Sequence, residues 1–250
     1  MRVLMPLPDH DFDPTESAVP WRLLTDAGHQ VIFATEHGLP GEADPRVLHG
    51  VVFGKLGAEP EAVAFYEQMR SDPAFATPLR WADVPDDAFD ALFLCGGHAP
   101  GMRPYLESTD VQRLALAAWT SGRNVAAICH GTIVLARTID PATGRSVLSG
   151  RRSTCLPKYM ERSAFFLTAW KLGRYYRTYP AYVEEEVRAA LGPDGVFERG
   201  PTTLTARGSR TDHRAAFVVE DGAYLSARWP GDAYLIAERF GERLSAKRAA

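Results

Sequence analysis

The amino-acid sequence predicts an α/β fold with a mostly parallel sheet, on three observations. Short apolar runs alternate with stretches of helical periodicity. The first three elements have the spacing of a strand–helix–strand unit, which pairs its strands in parallel through a right-handed crossover. A later apolar run ends in Ala126-Ala127-Ile128-Cys129-His130-Gly131-Thr132, whose small and flexible residues suit a tight strand-to-helix turn.

Each element follows in order. Arg2 to Leu7 (RVLMPL) suits a buried strand and runs into a loop of Pro, Asp and His. Ser17 to Ala27 carries apolar residues at helical spacing and is closed by Gly28. Gln30 to Thr35 (QVIFAT) is the next strand. Gly38 to Asp90 is too long for a simple connection; it holds a helix from Glu61 to Arg70 and many prolines, and reads as an insertion. Ala91 to Gly97 and Asn124 to Gly131 are two further buried strands, separated by a helix from about Asp110 to Thr120. Leu156 to Gly200 is a second insertion, rich in Phe, Trp and Tyr. AAFVVEDGAYLSARW alternates like a hairpin about Asp221–Gly222, and a final helix spans about Gly231 to Leu244. With no repeat, low-complexity tract or linker, the expectation is one domain over 1–250, with insertions at about 38–90 and 156–200.

Composition narrows the function classes. A hydrophobic fraction of 46% and a charged fraction of 24% are ordinary for a globular domain. The formal net charge of -3 gives no footprint for nucleic acid or an anionic membrane, so neither is expected as a partner. The apolar runs fall short of a membrane span, and MRVLMPLPDHDFD reaches acidic residues too early for a secretory signal. The 3 cysteines cannot all pair internally and match no zinc spacing. A reducing cytoplasm is the expected compartment.

Cys129 is the residue that carries chemistry. A cysteine on a strand-to-helix turn stands proud, as the serine of a nucleophile elbow does. A helix N-terminus behind it stabilises thiolate, and His130 adds a base or a positive charge. The competing reading is a buried, inert cysteine followed by a capping histidine. Gly96, Gly97 and His98 end a parallel strand at the sheet edge where ligands bind, and their backbone N–H groups, with that of His130, suit an oxyanion hole. GGHAPG lacks the lysine and hydroxyl of a phosphate loop, and no GxGxxG follows the first strand. Cys95 and Cys155 read as packing.

AAICHG resembles the nucleophile turn of the ThiJ/PfpI superfamily, which shares its core with class I glutamine amidotransferases. FDPTESAVPWRLLTDAGHQVIFAT, DALFLCGGHAPGM, LSGRRSTCLPKYME and VVEDGAYLSARWPGDAYLIAERF resemble further segments of that superfamily, in the right order. The resemblance implies a three-layer sandwich, flavodoxin-like or class I glutamine amidotransferase-like, with two insertions. The first insertion and the GGHAPG loop are more similar to the glyoxalase III/chaperone branch than to the small deglycases. The resemblance assigns Glu16 to contact the cysteine. A carboxyl beside a thiolate in a dry cleft is pushed towards its protonated form and can donate to sulfur; the bland alternative is an acid suited to a helix start. Lys158 stands where the branch places an acid that orients the histidine, and Glu161 is the available substitute. His98 resembles a histidine that can join a metal site in the chaperone branch, but the remaining ligands have no match. No metal and no other cofactor are expected.

The resulting expectation is a cofactor-independent cysteine enzyme acting on a small carbonyl electrophile, glyoxalase III-like, taking methylglyoxal to a hydroxy acid. One alternative is a cysteine hydrolase or hydratase acting on an amide or isonitrile. Another is a non-enzymatic stress chaperone or redox sensor using Cys129. Glutamine amidotransfer is disfavoured, because His213, followed by Arg214 and Ala215, forms no His-x-Glu motif. In the second insertion, Tyr175 or Tyr176 is expected close enough to Cys129 to touch a substrate. Phe165 and Trp170 are expected to pack inward or against a second subunit of a homodimer.

Overall fold

The computed structural model describes residues 1–51, 57–203 and 205–249, so residues 52–56 of the first insertion lie outside the described residues. Strands β1 (Arg2–Pro6), β2 (Gln30–Thr35), β3 (Leu79–Arg80), β4 (Ala91–Leu94), β5 (Asn124–Ile128), β6 (Val218–Asp221) and β7 (Tyr224–Ala227) form one sheet in the order β6-β7-β5-β4-β1-β2-β3. Neighbours pair in parallel, except in the β6–β7 hairpin. β4 and β5 are buried at every position, which is why ALFL and NVAAI read as continuous rather than alternating runs.

Helices cover both faces. Helix α1 (Pro14–Asp26) packs against α2 (Pro60–Arg70) and against the last helix, Ala233–Ala249. Two others, α3 (Thr109–Thr120) and α4 (Thr132–Arg137), pack together on the opposite face. The second insertion supplies α5 (Lys158–Leu172) and α6 (Val183–Leu191), of which α6 packs on α4. The last helix is α7. Among the described residues, no helix is long and apolar enough to cross a membrane.

Several boundaries differ from expectation, each for a local reason. Helix α1 begins at Pro14 rather than Ser17, because the Asp13 carboxylate accepts hydrogen bonds from the Thr15 and Glu16 amides at 2.8 and 3.1 Å. This draws Glu16 into the first helical turn. β4 and β5 each stop three residues early, since Cys95–Gly97 and Cys129–Gly131 leave the ladder to build loops. The first insertion is more than decoration. It contributes β3, and its Trp81 Nε1 donates to the Ala34 carbonyl at 3.0 Å. The segment after α4 joins no central strand; Arg152–Ser153 pairs with Val196–Phe197 instead. Trp170 does not pack inward: it is 67% exposed beside Phe166, on the outward face of α5, while Phe165 is half-buried.

A buried ion pair follows directly on β7, whose last residue, Ala227, pairs with Ile128. Arg228 Nε lies 2.8 Å from Asp232 Oδ2, and both side chains are fully buried. The guanidinium also donates to the carbonyls of Pro201 and Ala215, fastening the loop ahead of β6.

Candidate active site

The site is built at the C-terminal ends of β4 and β5. Cys129 follows β5 with φ of 58°, a left-handed conformation that costs a non-glycine residue energy and marks a constrained turn. The chain then makes one 3-10 turn, Cys129–Gly131, and enters α4. Gly131 makes the turn possible: a Cβ there would sit 2.4 Å from the Leu94 carbonyl and 2.5 Å from that of Cys95. Backbone meets backbone at that point, so the β5 turn and β4 approach closely only with glycine.

Glu16 reaches the cysteine through a gap left by Gly96. A Cβ at Gly96 would lie 2.6 Å from Glu16 Oε2 and 2.8 Å from both Cys129 Cβ and the His130 amide nitrogen. Burial, reinforced by neighbouring Asp13, pushes the Glu16 carboxyl pKa well up, while Cys129 and the Gly96 amide draw it down. Neither meets full hydrogen-bond geometry with the carboxyl oxygens. Burial thus favours the protonated carboxyl, the form with a proton to donate.

Burial also governs the thiol. Cys129 is fully buried, which pushes its pKa well up; Glu16 and Asp13 add to this, and the His130 amide N–H opposes it. With Glu16 protonated, its contribution falls away and burial remains. The expected lowering by a helix N-terminus does not prevail, because α4 has only 6 residues and the sulfur sits in a dry site. Cys95 and Cys155 are likewise buried and shifted up, in line with their reading as packing residues.

His130 Nδ1 lies 3.6 Å from Cys129 Sγ, and its Nε2 lies 3.3 Å from Thr178 Oγ1. Burial, then the neighbouring His98, Arg177 and Arg137, hold the imidazole well below its ordinary range. Burial thus disfavours the charged form of both the thiol and the imidazole. Glu161 does not take part. Its carboxylate accepts from Arg177 Nη1 at 3.1 Å and from the Val183 amide at 3.0 Å. Lys158 is engaged elsewhere, its amide donating to Glu184 at 2.8 Å.

His98 joins the cluster, its ring centroid 4.8 Å from that of His130. The ligand atoms of His98, Cys129 and His130 lie within 4.8 Å of one another, so His98 has two partners that sequence spacing did not show. Nitrogen–nitrogen–sulfur sets suit soft divalent ions, but an ion held there would occupy the nucleophile. Burial lowers the His98 pKa from 6.5 to about 4, and its Nε2 is buried without a partner. A histidine with a depressed folded pKa contributes stability above 6.5 and loses it as pH falls towards 4. His98→Gln should therefore flatten the fall in unfolding free energy between pH 7 and 4.5, by on the order of 3 kcal/mol. Urea denaturation at both pH values checks this; equal slopes for variant and wild type would show that His98 titrates normally.

A cavity of about 320 Å³ adjoins the cluster, with His98 in its wall. Met160, Ala164 and Leu167 line it from α5, Val47 from the first insertion, and Trp229 and Arg207 from beyond it. Tyr176 also lines it, 6.0 Å from the His98 ring, with its hydroxyl donating to Asp44 Oδ2 at 2.9 Å. Tyr175 meets Tyr176 edge to face at 5.1 Å between ring centroids and donates to Asp11 Oδ1 at 3.4 Å. Tyr176 thus approaches Cys129 through His98, and Tyr175 stands one ring further out. Sequence reasoning missed Thr178 and Arg207, which belong to no motif, and Trp229, which was read only as part of the closing hairpin. It also missed the weight of Asp13, whose burial pushes its pKa up to about 6.

Residues 7–201 match the protein family described as ThiJ/PfpI family-like. An uncharacterized protein of Schizosaccharomyces pombe is 28% identical over 248 residues, covering 95% of this chain and 82% of that one. A deglycase of Pyrococcus abyssi is 27% identical over 96% of this chain and 97% of its own length. The crystal structure of glyoxalase III from Candida albicans shares the fold, with a TM-score of 0.69 and 21% identity over 96% of this chain and 95% of that one.

Proposed function

This chain belongs to the ThiJ/PfpI family, and from that premise we propose that it is a cytoplasmic, cofactor-independent cysteine enzyme converting methylglyoxal-type α-oxoaldehydes into hydroxy acids. Relatives named as a glyoxalase and a deglycase support the class. The observation that carries the reading is Cys129 in its left-handed turn, with His130 Nδ1 3.6 Å from its sulfur and the buried Glu16 carboxyl alongside.

Sulfur bonds to the aldehyde carbon as its proton passes to His130 Nδ1, and Glu16 protonates the carbonyl oxygen. The backbone N–H groups of Gly97 and His98 are assigned to the developing charge. The hemithioacetal then isomerises. Its carbon-bound proton leaves to the Glu16 carboxylate as protonated His130 gives its proton to the second carbonyl oxygen. Glu16 returns the proton to that second carbon while His130 takes the proton of the first hydroxyl. One carbon is thereby oxidised as the other is reduced, and His130 later reprotonates the departing sulfur. The thioester formed is cleaved by water, releasing the hydroxy acid and restoring the thiol.

The largely apolar cavity beside His98 is assigned to the substituent on the oxoaldehyde. Each buried methylene is worth about 0.8 kcal/mol, roughly fourfold in kcat/KM. The test is turnover without glutathione on glyoxal, methylglyoxal, longer alkyl glyoxals and phenylglyoxal, with Cys129→Ala as control and mass spectrometry of Cys129 adducts. Hydroxy acid is expected from wild type only, with kcat/KM rising along the series. No product and no Cys129 adduct from any aldehyde would sink the reading; turnover with a flat series would sink only the cavity assignment.

A further inference from the structure

We infer that the Thr178 hydroxyl orients His130, occupying the place where an acid was expected. The inference rests on the proposed use of Cys129 and His130. Thr178 lies in the segment between α5 and α6 and is buried. Its Oγ1 is 2.6 Å from the His98 carbonyl and 3.3 Å from His130 Nε2. A hydroxyl has one proton, and a carbonyl can only accept, so the short contact consumes that proton. The longer contact then has one donor available, the Nε2–H of His130. This fixes the tautomer: Nε2 carries the hydrogen and the Nδ1 lone pair faces Cys129 Sγ. A tautomer with hydrogen on Nδ1 would set two lone pairs against each other at Thr178 and leave sulfur without a base.

The segment is held in place on both sides of Thr178. Arg103 donates from Nε and Nη2 to the Thr178 carbonyl at 2.8 and 2.5 Å. Arg177, one residue before, forms the buried pair with Glu161. Tyr179, one residue after, donates to Glu107 at 2.8 Å and accepts from Arg137 Nη1 at 3.1 Å. Glu161 thus supports the histidine indirectly, by holding the chain that presents Thr178. A neutral hydroxyl also differs from an acid in effect. It selects the tautomer without adding a charge that would favour imidazolium.

The test reads the tautomer directly, by 15N NMR of His130, together with the rate of Cys129 alkylation by iodoacetamide across pH. Neither readout needs a substrate, so failure here is distinguishable from failure of the proposed activity. Wild type and Thr178→Ser should show one Nε2–H tautomer and matching alkylation profiles. Thr178→Val, close in volume, should show mixed tautomers and alkylate roughly 5- to 100-fold more slowly near neutral pH, as expected for a lost buried partner. A wild-type spectrum with hydrogen on Nδ1 would overturn the inference even if the valine variant fails to fold. So would a folded valine variant with an unchanged tautomer and alkylation profile.

Discussion

Gly96→Ala is expected to lower kcat/KM on the order of a hundredfold or more, because misplacing reacting groups by about 1 Å costs that much. The added Cβ would be 2.6 Å from Glu16 Oε2 and 2.8 Å from Cys129 Cβ and the His130 nitrogen. Of these, only the carboxyl is the end of a flexible side chain. Glu16 would be displaced, and the strained cysteine turn pushed towards α4. Overpacking of this kind also costs about 1–3 kcal/mol of stability, so steady-state kinetics should be paired with denaturation. Gly122→Ala is the control: it sits at φ of 65° with nothing within 4 Å of an added Cβ. It should lose some stability from backbone strain and no activity. Retention of wild-type kinetics by Gly96→Ala would mean that the spacing of Glu16 and Cys129 is immaterial.

Arg228→Ala should remove roughly 3–5 kcal/mol of folding stability, the usual result of stripping one partner from a buried ion pair. Asp232 would be left fully buried with its charge uncompensated, and the Pro201 and Ala215 carbonyls would lose their donor. Asp232 also accepts from the Phe217 and Arg228 amides, so the carboxylate cannot simply turn to water. The double replacement Arg228→Met with Asp232→Leu should recover a large part of the loss, since apolar packing removes the stranded charge. Urea unfolding of the three proteins checks the pattern. A single variant within 1 kcal/mol of wild type would show that water reaches the pair.

These two sites differ in how far the sequence disclosed them. The β4 and β5 strands were legible because burial on both faces demands continuous apolar runs, and Cys129, His130 and Glu16 were legible because tight turns restrict the residues they can contain. The strand ends were misjudged for the same reason: Cys95–Gly97 looks as apolar as the strand, yet its backbone serves the loop. Arg228 and Asp232 are four residues apart, a spacing that reads as a solvated helical pair, whereas both are fully buried. Thr178 was invisible. It meets His130 across 48 residues, and nothing local separates it from any other threonine. The family resemblance implied an acid after the nucleophile helix and left Glu161 as the substitute, but Glu161 is held by Arg177 and Val183, so the chain supplies a hydroxyl instead.

Strand order has a consequence for the timing of assembly. β5, which leads into Cys129, pairs with β4 on one side and with β7, Tyr224–Ala227, on the other. Synthesis proceeds from the N-terminus, so β5 emerges with one neighbour already made and waits about a hundred residues for the second. Until β7 arrives, the apolar run that leads into Cys129 is an open edge able to pair with another chain. The ordered turn at Cys129 therefore waits on the synthesis of β7. Ribosome stalling or a premature stop ahead of Ala227 leaves a product with an open, aggregation-prone edge and Cys129 beside it.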